Sequence, residues 1–136
     1  MTALTEDRGT EQQKGKLLSV PVAAAAMIHG GALVVASATG FAQPGATATG
    51  LTALGMATER VDNSAGADGE QRIEVRRGRA FRFENDGGDA VGQANLLQEC
   101  YIVDDQTVAA TDGAGTRSVA GKVVGVDADG VWVEIG

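Results

Sequence analysis

Acid–base, nucleophilic and metal chemistry needs a positioned histidine, cysteine, carboxylate pair or hydroxyl with a base beside it. This sequence of 136 residues holds one histidine, His29, and one cysteine, Cys100. His29 has apolar neighbours and no carboxylate or cysteine close in sequence, so it reads as a turn or partly buried imidazole rather than a base. One histidine and one cysteine cannot supply the usual nitrogen and sulfur ligands of a zinc site. A lone cysteine forms no internal disulfide, and Cys100 reads as a small buried hydrophobe. Two carboxylate pairs remain, Asp104 with Asp105 and Asp127 with Asp129. Adjacent residues on a strand point to opposite faces, so Asp104 and Asp105 are poorly placed to share a proton and read as turn residues. Asp127-Ala128-Asp129-Gly130 has the opening of a calcium loop, but the sequence runs out before the distal glutamate that loop requires. A hairpin turn is the expected reading.

The glycine clusters Gly87-Gly88 and Gly113-Ala114-Gly115 are not followed by the Lys-Ser or Lys-Thr of a phosphate loop. They do not match a dinucleotide fingerprint either, and no Gly-x-Ser-x-Gly elbow occurs. No catalytic, cofactor-binding or metal-ligating residue is expected, and the chain is not expected to be an enzyme.

Binding chemistry is better represented. Arg72, Arg76, Arg77, Arg79 and Arg82 place five of the 11 basic residues in one short stretch, as a solvated strand face or as a patch that docks on an acidic protein surface. Trp132 is the only tryptophan. The formal net charge of −7 favours solubility and repels polyanions, which argues against nucleic acid or an anionic membrane as partner.

The elements that must carry these groups are strands. The sequence has 20 glycines, 4% aromatic residues and short β-prone apolar runs broken by glycine or aspartate. Residues 1–16 are polar and charged with almost no large apolar side chain, so they are expected to form an extended arm that orders against a partner. Residues 17–136 are expected to form a single β-rich domain. The mostly apolar stretch 20–38 contains His29-Gly30-Gly31 and the β-branched pair Val34-Val35, which fit two strands joined by a turn better than a membrane helix. Residues 40–50 read as a loop with a turn at Pro44-Gly45, 51–61 as extended, and 62–70 as a polar turn.

The clearest alternation is at 71–84, where Ile73 and Val75 share one face and Phe81 and Phe83 continue the pattern beyond Gly78, which reads as a hairpin. Residues 89–99 have modest helical character, with Asp89 as a possible cap. Two short strands flank Asp104-Asp105, and 119–126 with 131–135 read as a terminal hairpin. Its last strand should bury Val131, Val133 and Ile135 and turn Trp132 and Glu134 outward. The predicted fold is all-β: a compact β-sandwich or β-barrel, β-tulip-like, with one short helix and the N-terminal arm.

Across the second half, IEVRRGRAFRFEN (73–85), CYIVDDQTV (100–108), AGKVVGVD (120–127) and GVWVEI (130–135) form a succession. It resembles small head proteins of tailed phages and prophages, among them the capsid decoration or cement proteins of Mu-like heads. The resemblance covers about 71–136 and is sharpest at its end. It implies a non-enzymatic virion protein bound to the outer surface of an icosahedral capsid, bracing adjoining capsomers. The implied partners are the major capsid protein and further copies of the chain, commonly as a homotrimer at three-fold and quasi-three-fold positions. The implied location is the phage head after assembly in host cytoplasm. Arg72, Arg76, Arg77, Arg79, Arg82 and Trp132 are the candidate contacts. A tail, connector or fibre-associated β module is the alternative.

Overall fold

Runs of valine, isoleucine, leucine and alanine punctuated by glycine fold into twelve strands and one 3-10 turn in the computed structural model, which describes Ala3, Thr5, Glu6, Arg8 and residues 16–136. Apart from those four residues and Lys16, the expected arm lies outside the described residues. The strands are β1 Leu17–Pro21, β2 Met27–Ile28, β3 Leu33–Ala36, β4 Ala42–Pro44, β5 Thr52–Ala57 and β6 Val61–Asp62, then β7 Arg72–Arg76, β8 Arg79–Asn85, β9 Glu99–Ile102, β10 Thr107–Ala109, β11 Val119–Asp127 and β12 Gly130–Ile135.

These strands make a five-stranded sheet in the order β1-β7-β5-β3-β4, a closed barrel in the order β10-β8-β12-β11-β9, and a small β2-β6 ribbon. The fold is all-β, and its barrel leaves no open edge to pair with other chains. Beyond β1, Val22 bridges to Ala42 of β4 while its N–H bonds to the Gln71 carbonyl at 2.9 Å, so the chain partly covers the five-stranded sheet's far edge as well.

Two apolar cores lie on the two sides of a shared wall. Leu33 and Val35 of β3 enter the core that contains Phe81, Phe83, Ile102, Val123, Val131 and Val133. Val34 and Ala36 enter the core of Val22, Ile28, Ile73 and Val75. That explains why all four residues of β3 are apolar and buried: a strand covered on both faces has no polar side to alternate with. β5 plays the same part with the help of a bulge at Leu54, since Val34 opposes Gly55 but Val35 opposes Ala53. Gly55 sits at φ +147°, and a Cβ there would lie 2.1 Å from the Arg76 carbonyl oxygen, so only glycine lets β7 approach.

Strand placement from alternation holds, but several expected pairings do not. β7 and β8 are not a hairpin. β7 lies between β1 and β5, whereas β8 lies between β10 and β12, and Gly78, at φ +75°, is the corner where the chain leaves one sheet for the other. The strands within 20–38 likewise pair with distant partners, β2 with β6 and β3 with β4 and β5. The loop expected over 40–50 contains β4, with Pro44 at its end, where a missing N–H is tolerated on an edge strand. The helical expectation for 89–99 reduces to one 3-10 turn, Gln93–Asn95, entered through Gly92, whose N–H donates to Asn95 Oδ1 at 2.8 Å. Asp89 does not cap it. Its carboxylate instead accepts from Arg117 at 2.9 Å and from the Thr111 hydroxyl, tying the 111–117 loop to the barrel. No helix among the described residues is long and apolar enough to cross a membrane.

Candidate functional site

The C-terminal strand pair carries the most developed surface. β11 and β12 pair antiparallel with Lys122 opposite Glu134 and Val123 opposite Val133, then a bulge at Val124 sets Gly125 opposite Trp132. As the alternation predicts, Val131, Val133 and Ile135 are buried while Trp132 and Glu134 face out. Val124, the residue after inward Val123, faces out as well and is 37% exposed, the same fraction as Trp132.

Trp132 is held in place from several directions. Its indole N–H donates to Asp127 Oδ2 at 3.3 Å. Its ring lies against the Cα side of Gly125, where a Cβ would sit 3.4 Å from Cδ1. The Arg82 guanidinium, on the neighbouring strand β8 directly opposite Trp132 in register, lies 5.7 Å from the ring centroid. Asp127 in turn accepts from the backbone N–H groups of Asp129 at 2.8 Å and Gly130 at 3.1 Å. The Asp129 bond, helped by the indole, Gly130 and the nearby Arg82, holds the Asp127 carboxyl below its ordinary pKa. The Asp127–Gly130 segment is therefore the hairpin turn expected from sequence, with the first aspartate as its clasp.

On the other side of β11, the 3-10 turn delivers two leucines. Asn95, Leu96, Leu97 and Gln98 form a β-turn closed by the Gln98 N–H to the Asn95 carbonyl at 2.9 Å. Leu96 has φ −55° and ψ 131°, and Leu97 has φ +64°, the pattern of a type II turn whose third position ordinarily takes glycine. The Leu97 N–H donates to the Val123 carbonyl at 2.7 Å, laying the turn alongside β11 next to Val124. Leu97 is 65% exposed and Leu96 41%. Leu97, Val124 and Trp132 thus form an apolar stripe across three neighbouring segments, with Arg82 at one end. Beside it runs a charged row, Glu99, Lys122 and Glu134, in register. Sequence reasoning identified Trp132 and Arg82 and set Glu134 outward, but missed Leu97 and Val124, because the turn that exposes Leu97 has no local sequence signature and Val124 joins Trp132 only through the register of β11 on β12.

The arginine run is divided by the Gly78 corner. Arg72, on the outer face of β7, donates through Nε to Ser19 Oγ and through Nη2 to the Ser19 carbonyl, both at 2.9 Å. Arg82 belongs to the Trp132 site. Arg76, Arg77 and Arg79 stay together: Arg76 opposes Leu17, the Arg77 N–H bonds to the Lys16 carbonyl at 2.9 Å, and Arg79 opposes Ile135. With Lys16, whose side chain passes Gly78, they bring four cations to one corner. Among the described residues the one ion pair within 4.0 Å joins Arg117 to Asp89, and none involves these four cations.

The remaining candidates are dispersed. Cys100 is fully buried, and burial pushes its thiol up to about 12. Asp104 Oδ1 accepts from the Gln106 N–H at 2.9 Å within the β9-β10 turn, and the Asp105 carbonyl accepts from the Leu33 N–H at 2.8 Å, tying that turn to β3. His29 is exposed in the turn after β2, in an open depression that Asp105 also lines. No group of three or more His, Cys, Asp or Glu side chains among the described residues could hold a metal ion. No protein-family model, curated protein or solved structure matches the chain.

Proposed function

We propose that the chain is a viral structural protein, a capsid decoration or cement protein that binds the outer surface of an icosahedral phage head and stabilises contacts between capsomers. It acts by adhesion rather than turnover, without a cofactor, as a homotrimer at three-fold and quasi-three-fold positions. The observation that carries this reading is the basic corner of Lys16, Arg76, Arg77 and Arg79 on a protein whose net charge is −7. Such a corner gives an otherwise anionic molecule one orientation in which it meets an acidic protein surface, here the major capsid protein. The residues that carry the resemblance to phage head proteins include the three arginines of this corner and the β11-β12 hairpin. The closed barrel suits the role, because a brace must transmit load without offering strand edges to wrong partners. Each contact can be weak, since repetition over a lattice multiplies its effect.

Adding the purified chain to preformed shells that lack it tests the reading. Saturable attachment and a raised thermal disruption temperature are expected. Charge reversal of Arg77 and Arg79 together should abolish attachment, and removal of residues 1–16 should weaken it. Shells that bind none of the chain would sink the proposal.

A further inference from the structure

We infer that the outer barrel face bearing Trp132 is covered by a second copy of this chain, in an isologous contact about a two-fold axis. This goes beyond the capsid reading and is independent of the basic corner. The argument rests on register. On β11 and β12 the outward residues are ordered as two rows: Lys122 beside Glu134, and Val124 with Gly125 beside Trp132. A two-fold axis parallel to these strands, passing between them, lays β11 of one copy over β12 of the other while keeping each row over itself. Lys122 then faces Glu134 of the second copy, and Glu134 faces its Lys122. Val124 faces Trp132 of the second copy, and the reverse. The face is complementary to itself in both charge and shape, because a small aliphatic side chain beside a bulge meets a flat indole.

Three further observations fit a surface built to be covered. Lys122 and Glu134 are cross-strand neighbours, yet make no ion pair with each other within 4.0 Å, which leaves both free to pair across the contact. Trp132 is prepositioned by Asp127 and Arg82, so little side-chain freedom remains to be lost on association. Leu97 is held exposed at positive φ, a conformation costly for leucine, where glycine would serve the turn alone. Four strands spaced about 4.8 Å apart give a convex face only about 20 Å across. The area falls well short of the roughly 800 Å² per partner of a standard interface. The contact is therefore weak in solution and effective where copies are already concentrated, as on a shell, where it would join neighbouring oligomers across two-fold positions.

Sedimentation of the full chain up to about 1 mM tests this, read on its concentration-dependent doubling step. Lys122→Glu and Glu134→Lys should each weaken that step about tenfold, because two-fold symmetry counts every substitution twice. An equimolar mixture of the two variants should associate again, since in the mixed pair each substituted position faces the opposite charge on the other copy, and so does each unsubstituted one. A control mixture with the same charge changes in a remote turn, Arg60→Glu with Glu59→Lys, should show no such gain over its separate components. Absence of doubling up to about 1 mM, doubling that Lys122→Glu leaves unchanged, or equal recovery in the control mixture would each overturn the inference. None of these results bears on attachment to shells, so the capsid reading stands or falls separately.

Discussion

The indole N–H of Trp132 donates to Asp127 Oδ2 at 3.3 Å, while Asp127 Oδ1 clasps the turn between them. One carboxylate thus fixes both the hairpin reversal and the orientation of the chain's only tryptophan. Replacing Asp127 with alanine should lower the unfolding midpoint and red-shift Trp132 fluorescence, and Asp127→Asn, which keeps an acceptor, should fall between. Unchanged emission in the alanine variant would show that the indole is not held by this bond.

The same residue sets an acid-side dependence. The Asp127 carboxyl has a folded-state pKa below its unfolded value, so protons bind more readily to the unfolded chain. Its contribution to stability is present above the unfolded carboxylate range, around pH 4, and is lost as pH falls through the lowered folded value. Urea titrations at stepped pH should show a shallower acid-side loss for Asp127→Ala than for the parent chain.

Leu97 tests exposed apolar function against fold stability. Leu97→Gly removes a side chain that is 65% exposed and suits φ +64°, offset by glycine's greater freedom in the unfolded chain. Stability should be unchanged or raised by up to about 1 kcal/mol, while self-association falls. A loss beyond about 1 kcal/mol in urea unfolding would mean the leucine serves the fold instead.

Because β3 contributes to both cores, the two should melt as one. Leu33→Ala in the first core and Ile28→Ala in the second remove fully buried side chains, each costing about 2–5 kcal/mol. Calorimetry should show a single transition displaced by either substitution. Two separable transitions would show that the shared wall does not couple the cores.

Cys100 supplies a probe of opening. Its thiol is buried and raised to about 12, so at about pH 8 the folded chain should react with thiol reagents only through unfolding, and quickly once urea exceeds the midpoint. A raised thiol pKa contributes stability below the unfolded value of about 8.5, and that contribution fades as pH climbs toward the folded value. Rapid labelling in native buffer would contradict the burial.

Period-two alternation was enough to place Ile73, Val75, Phe81 and Phe83 inside and to set Trp132 against Val131 and Val133, and the Asp127-Ala128-Asp129-Gly130 segment marked its turn. Composition was enough for an all-β chain, since each run is too short and too β-branched to form a long helix. Which strand meets which was decided only in three dimensions. Alternation states which face of a strand is buried, but every strand edge carries the same backbone donors and acceptors, so nothing local distinguishes β1 and β5 from β8 as partners for β7. For the same reason the arginine run looked like one patch. Gly78 turns the chain from one sheet to the other, leaving Arg72 on Ser19, Arg82 on Trp132, and only Arg76, Arg77 and Arg79 together. The apolar stripe depends on the register of β11 against β12 and on a type II turn laid beside it, both visible only once β11 has found its neighbours on both sides.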